Sequence, residues 1–355
     1  MIREIEFDFL SPESNDGACR TIREILDKPL SFAPHDQDNS HITKDFSKSA
    51  QGVLVNDGVR SRDFKYYIFD WDDNILHMPT KIRMERKGDD GVWREVEVST
   101  STFALVRADV EHYRAPKGGW AEAFRDFQDN PSRDNFLEDT IAALERIAHG
   151  ETPGPSYNAL KKTLREGRLF AIVTARGHAP ETIENAVRIF IRYALSEEER
   201  EEMLANLRGY RRWIDKVEEF GTDAEEIDYY LSLCRYSAVT NDSFKERMAN
   251  DPIYREKLAT ASTAARPELA KEFAIRDFVE HVFHMLERNN GFDRSVSIGF
   301  SDDDIGNVKS VSNFIKRELS RRFEGIKFVV YDTSDATLAK GRKVCVSGQL
   351  NLPGF

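Results

Sequence analysis

The chain predicts an α/β protein built on a parallel sheet, and three observations carry that prediction. Tyr66-Tyr67-Ile68-Phe69 is an apolar, aromatic run that stops abruptly on Asp70, Asp72 and Asp73. Ser295 to Phe300 is a second strand-like run, and it stops on Asp302, Asp303 and Asp304. Between them, Leu169 to Val173 forms a third run, entered from a helix that ends in Gly167 and closing on Thr174. Strand-length apolar runs alternating with helical stripes are the rhythm of βαβ units.

Composition sets the bounds. The 355 residues, 40% hydrophobic and 11% aromatic, suffice for one large domain or a core domain carrying inserts. A net charge of −11 opposes general affinity for a nucleic-acid backbone, which needs a basic face. The three cysteines, Cys19, Cys234 and Cys345, are scattered and odd in number, which points away from a disulfide framework and towards a reducing compartment. Met1 to Glu6 is charged rather than signal-like, and no apolar run approaches the roughly 20 residues that span a bilayer. A soluble, cytoplasmic protein is expected.

The elements follow in order. Residues 1–63 read as an N-terminal extension, with a short helix around Cys19 to Leu26 and a polar stretch holding His35, Asp36, Asp38 and His41. Val53-Leu54-Val55 precedes an Asn56-Asp57-Gly58 turn signal and Val59, the pattern of a hairpin. Beyond Leu76, Thr80 to Arg86 and Val92 to Val98 flank Gly88-Asp89-Asp90-Gly91, a second hairpin. Residues 101–136 carry no assignable pattern. Leu137, Ile141, Leu144 and Ile147 form one helical stripe, and Tyr157 to Glu166 forms another helix.

Residues 180–265 read as largely helical, with capping-box spacing at Ser196/Glu199 and Thr222/Glu225. Ile275, Val279, Val282 and Leu286 line a long helix opened by Pro267 and stopped at Asn289-Asn290-Gly291. Val308, Val311, Ile315 and Leu319 line another. Ile326 to Tyr331 and Val344-Cys345-Val346 are the last strand-like runs.

Carboxylates packed at strand ends do not belong in a core, because burying unpaired charge is costly. They belong in the crevice outside the carboxyl ends of a parallel sheet, where ligands bind. Oxygen-only groups two residues apart, as in Asp70 and Asp72, suit a hard cation such as Mg²⁺.

Phe69-Asp70-Trp71-Asp72-Asp73-Asn74 resembles the first motif of the haloacid dehalogenase-like superfamily, with Asn74 where Thr is usual. Leu169 to Thr174 is similar to its second motif, and Ser301-Asp302-Asp303-Asp304 to its fourth. Lys271, or alternatively Lys257, stands where the third-motif lysine is expected. The resemblance covers residues 64–78, 168–178 and 266–331.

It implies a Rossmann-like parallel sheet with helices on both faces, spanning 64–355. Inserts would lie at about 77–165, as a β-hairpin flap or cap, and at 179–265, as a helical elaboration. It implies a Mg²⁺-dependent phosphoester hydrolase acting on a small phosphorylated substrate. Asp70 would be the nucleophile, forming an aspartyl-phosphate, and Asp72 the general acid and base. Thr174, Arg176 and Lys271 would hold phosphoryl oxygens. Asp70, the Asp72 carbonyl and Asp302 would hold the metal, with Asp303 a further ligand and the part of Asn307 open.

Asp72 separates this chain from dehalogenases, which lack that second Asp. Two other readings stay open: a nucleic-acid end-processing phosphatase using a groove near Arg211-Arg212 or Arg321-Arg322, and a non-catalytic binding module on the same fold.

Overall fold

The computed structural model describes residues 44–262, 266–289, 294–335, 338 and 341–347, the last three of these by backbone alone. The readings at Cys19 to Leu26, at His35 to His41 and at the Asn290-Gly291 stop lie outside the described residues.

The strands are β1 (Phe46–Lys48), β2 (Leu54–Asn56), β3 (Phe64–Phe69), β4 (Ile82–Lys87), β5 (Trp93–Val98), β6 (Tyr113–Arg114), β7 (Phe170–Thr174), β8 (Arg235–Ala238), β9 (Val296–Asp302), β10 (Ile326–Asp332) and β11 (Arg342–Ser347). The helices are α1 (Thr100–Val106), α2 (Gly119–Ala123), α3 (Asn135–Ala148), α4 (Tyr157–Arg165), α5 (Pro180–Ala194), α6 (Glu197–Tyr210), α7 (Asp223–Leu233), α8 (Asp242–Asn250), α9 (Pro252–Thr260), α10 (Arg266–Arg288) and α11 (Ile305–Phe314). No helix among the described residues is long and apolar enough to cross a membrane.

The fold is mixed α/β. Six strands form one sheet in the order β11-β10-β9-β3-β7-β8, and every neighbouring pair is parallel except β10 with β11. Helices surround it. β7 has every residue buried, as a strand covered on both faces must. Ile68, Phe170, Ile172, Phe300, Phe328 and Val330 form the middle of the core with α3, α5 and α10.

The chain leaves β3 to build β7 and β8 on one side. It then returns to build β9 and β10 on the other. Strand order therefore reverses between β3 and β9, the position at which open α/β sheets bind ligands. The register pairs Phe69 with Ser301, so the residues that follow, Asp70 and Asp302, emerge side by side.

A second, three-stranded antiparallel sheet, β5-β4-β6, occupies part of the 77–165 segment. It has a small core of its own: Ile82, Met84, Val98, Ala123 and Phe127. Its first two strands are the expected hairpin. The third, β6, is only two residues long and came from the stretch without pattern.

Two expectations need correction. β2 does pair in a hairpin, but with the upstream β1 rather than with Val59. The Asn56 side chain accepts from the Gly58 amide at 2.9 Å and turns Asp57–Ser61 into a 3₁₀ turn. The 179–265 segment is not wholly helical either. Its strand β8 joins the main sheet beside β7. Its four residues, Arg235-Tyr236-Ser237-Ala238, include no Val or Ile, so they lack a strand signature.

Both capping boxes form, at Ser196/Glu199 and Thr222/Glu225. The far half of α6 is buried under β2 and the 3₁₀ turn that follows it. A Cβ at Gly209 would lie 2.0 Å from the Asn56 carbonyl oxygen, so only glycine permits this contact.

Candidate functional site

β3 ends at Phe69 and the chain makes a tight loop through Leu76. The Asn74 amide donates to the Asp72 carbonyl (2.6 Å), Ile75 to Trp71 (3.0 Å) and Asp73 to Leu76 (2.9 Å). Asp73 takes a left-handed conformation (φ 56°), which Asp tolerates better than most residues. Trp71, Ile75 and Leu76 are fully buried and anchor the loop in the core.

Asn74 stitches this loop to its neighbours. Its side-chain amide donates to the Asp70 carbonyl (2.9 Å), the Ser301 carbonyl (3.2 Å) and Ser301 Oγ (3.1 Å). Its Oδ1 accepts from Thr333 Oγ1 (2.8 Å), beyond the end of β10. A Thr hydroxyl has one donor and could not reproduce this set. Ser301, Thr333 and Ser156 complete the network, and their sequence context gave no signal of it. Gly154 approaches closely enough that a Cβ there would lie 2.6 Å from the Asn74 carbonyl oxygen.

The carboxylates meet one lysine. Asp70 is 7% exposed, Asp302 1% and Lys271 6%. Lys271 Nζ donates to Asp70 Oδ1 at 3.1 Å and to Asp302 Oδ2 at 2.7 Å. Asp302 Oδ1 accepts from the Asp304 amide (2.9 Å) and from Asn307 Nδ2 (3.0 Å), so Asn307 orients Asp302. Asp70 Oδ2 makes no hydrogen bond with the described residues.

Burial pushes the Asp70 carboxyl well above the usual carboxylate range. Lys271 pulls it back, and Asp302 and Asp72 push it further up. Half-buried Asp303 is raised by burial, then by Asp70 and Asp302. Burial works against the Lys271 ammonium, but Asp302 and Asp70 outweigh it and hold the proton on. Lys257 lies elsewhere, paired with Glu318 at 2.8 Å.

Arg176 departs from expectation. Its side chain is 1% exposed, and it binds Asp72 in a two-pronged pair, Nε to Oδ2 at 2.8 Å and Nη2 to Oδ1 at 2.6 Å. Nη2 also donates to Thr80 Oγ1 at 2.9 Å, and Thr80 in turn bonds Asp139. The guanidinium lies 4.5 Å from the Phe127 ring centre and 4.8 Å from that of Phe136. Thr174 Oγ1 also faces Asp72, at 3.4 Å from Oδ2. In this structure both groups therefore serve Asp72 rather than open space.

The three-stranded segment reaches the same loops. Thr100 Oγ1 donates to Asp73 Oδ2 (2.5 Å), and Arg107 Nη2 to Asp304 Oδ2 (2.9 Å). His77 bonds the other Asp73 oxygen at 2.9 Å, which raises its pKa. Thr100, Arg107 and Thr80 could not be found from sequence, because their partners lie in other elements.

No three acidic, His or Cys side chains among the described residues form a preformed metal cage. Mg²⁺ does not need one, since it binds through one or two carboxylates and keeps several waters. Lys271 joins two carboxylates, Asp70 and Asp302, and Asp303 feels the charge of both, so the donor set is all oxygen with negative charge in excess. That chemistry fits a hard divalent ion.

No family model, curated protein or solved structure matches the chain.

Proposed function

We propose that the chain is a Mg²⁺-dependent phosphoester hydrolase of the haloacid dehalogenase-like kind, acting on a small phosphorylated substrate through an aspartyl-phosphate. The observation that carries this reading is the pairing of Asp70 with Asp302 through Lys271, with Asp70 Oδ2 left unbonded, at the point where strand order reverses. The central place of β3 supports a Rossmann-like sheet. The small sheet β5-β4-β6, touching the site through Thr100 and Arg107, supports a cap.

Asp70 Oδ2 attacks phosphorus, and the bond to the leaving oxygen breaks. Asp72, once it has left the guanidinium and taken a proton from solvent, gives that proton to the leaving oxygen. It then takes one from water, whose oxygen attacks the phosphorus and releases phosphate from Asp70. Lys271 neutralises the phosphoryl oxygens as charge shifts onto them, and the Thr174 hydroxyl, turned from Asp72, donates a hydrogen bond to one of them. Arg176 acts as a positioning residue for Asp72, so the acid must leave the guanidinium to react. Asp70, the Asp72 carbonyl, Asp302 and Asp303 would hold Mg²⁺. When bound, the ion supplies charge neutralisation for the phosphoryl group.

Three of the four arginines that suggested a nucleic-acid groove have other partners: Arg211 pairs with Glu226, Arg212 with Asp57 and Arg322 with Glu280. This favours a small substrate.

The test is phosphate release from a panel of phosphoesters, with Mg²⁺ and with EDTA. Metal-dependent release that disappears in Asp70→Asn, with the fold intact by circular dichroism, is expected. Full activity in Asp70→Asn would overturn the mechanism.

A further inference from the structure

Arg176 is a fully buried cation held between the rings of Phe127 and Phe136. Asp72 is the one carboxylate that pairs with it directly among the described residues. The acid step asks Asp72 to leave. A buried cation whose partner departs is left uncompensated, which is strongly unfavourable. A second carboxylate stands one hydroxyl away.

Thr80 lies between Leu76 and β4 and is buried. Its Oγ1 accepts from Arg176 Nη2 at 2.9 Å and donates to Asp139 Oδ2. A hydroxyl has one proton to give. With that proton committed to Asp139, the lone pairs of Oγ1 are left to face the guanidinium. Asp139 is half-buried on α3. Burial raises its carboxyl, and the Thr80 hydrogen bond and then the Arg176 charge pull it back. Arg176 therefore stands between two carboxylates, one bound directly and one through a hydroxyl.

We infer that Thr80 and Asp139 are positioning residues for the acid step, acting on Asp72 through Arg176. The inference rests on the hydrolase reading above. Nη2 is bonded at once to Asp72 Oδ1 (2.6 Å) and to Thr80 Oγ1, so the hydroxyl keeps the guanidinium in place when the carboxylate turns to the substrate. Asp139 supplies the counter-charge during that interval. Asp72 can then leave Arg176, deliver its proton to the leaving oxygen and take one from water, with the guanidinium waiting where it was. Neither Thr80 nor Asp139 touches the substrate.

The experiment compares 4-nitrophenyl phosphate with the best alkyl phosphate of the ester panel, in the wild type, Thr80→Val, Thr80→Ser and Asp139→Ala. An alkoxide leaves only with a proton from Asp72, whereas 4-nitrophenolate leaves without one. Both esters need Asp72 again, to take a proton from the water that frees phosphate from Asp70. On the alkyl ester, Thr80→Val and Asp139→Ala should lower kcat about tenfold and change KM little. On the nitrophenyl ester the same variants should release one equivalent of nitrophenolate per chain at least as fast as wild-type turnover, and only then slow. Thr80→Ser keeps the hydroxyl and should restore wild-type rates. General loosening of the fold would instead slow the first turnover of both esters alike. That result overturns the inference, and so does wild-type behaviour in both Thr80→Val and Asp139→Ala. A wild type inert towards the whole panel would remove the hydrolase reading, and the inference with it.

Discussion

Arg176 is a full charge buried between two rings, and its effect is felt through Asp72. Lys at this position keeps the charge but loses the two-pronged grip and the planar stack. Arg176→Lys is therefore expected to lower kcat about 100-fold, the effect of misplacing a reacting group by an ångström. KM should move little, because no substrate contact is removed. A fall confined to KM would return Arg176 to the phosphate. Its neighbour His178 is fully buried, stacked on Phe136 at 4.7 Å, with neither ring nitrogen bonded. Burial and then Arg176 hold its pKa down at about 3, against an ordinary 6.5. Below pH 6.5 the unfolded chain takes a proton that the folded chain refuses. Stability is thus complete above 6.5 and is lost as pH falls towards 3, by at most about 1.4 kcal/mol per pH unit from this group. Urea unfolding at pH 7.5 and pH 5 should show a smaller loss in His178→Phe than in the wild type. The placing of Asp70 and Asp302 together was legible in the sequence, because each closes its own strand run. Arg176 was read as a phosphate ligand because its acceptor, Asp72, lies 104 positions away.

At the level of elements, the small sheet β5-β4-β6 stands on few buried side chains. Met84→Ala should cost about 2–5 kcal/mol if its cavity stays open, a large share of what so small a core supplies. The loss is expected to be local, because the main core lies in a separate cluster. Limited proteolysis should then cut within residues 79–127, while the main thermal transition stays in place. A lowered main transition would mean that the segment is integral to the central fold. The β4–β5 hairpin was readable because alternation and a Gly-Asp-Asp-Gly turn announce it. β8 was not, since an edge strand buries less and is free to be polar. The capping boxes were readable because both halves of each lie within one turn of helix.

For the molecule as a whole, the proposed Mg²⁺ site at Asp70 and Asp302 would make stability depend on the ion. An ion that binds only the folded chain stabilises it by mass action. Mg²⁺ should raise the melting temperature of the wild type and leave that of Asp302→Asn unchanged. EDTA should not unfold the protein, because Lys271 already neutralises part of the cluster. An equal Mg²⁺ effect in both proteins would remove Asp302 from the metal site. The parallel order of the sheet was legible from strands separated by helices. The antiparallel turn of β11 was not, because nothing in its run specifies direction.

That last strand has a consequence for behaviour in concentrated solution. A sheet offers two open margins on which another molecule can add a strand. Among the described residues one margin is β8, only four residues long, and the other is β11, which begins with exposed Arg342, paired with Asp332 at 3.2 Å, and Lys343. Brevity guards the first, and the Lys343 charge guards the second. Without that charge, β11 would be open to pairing with the same strand of a second copy.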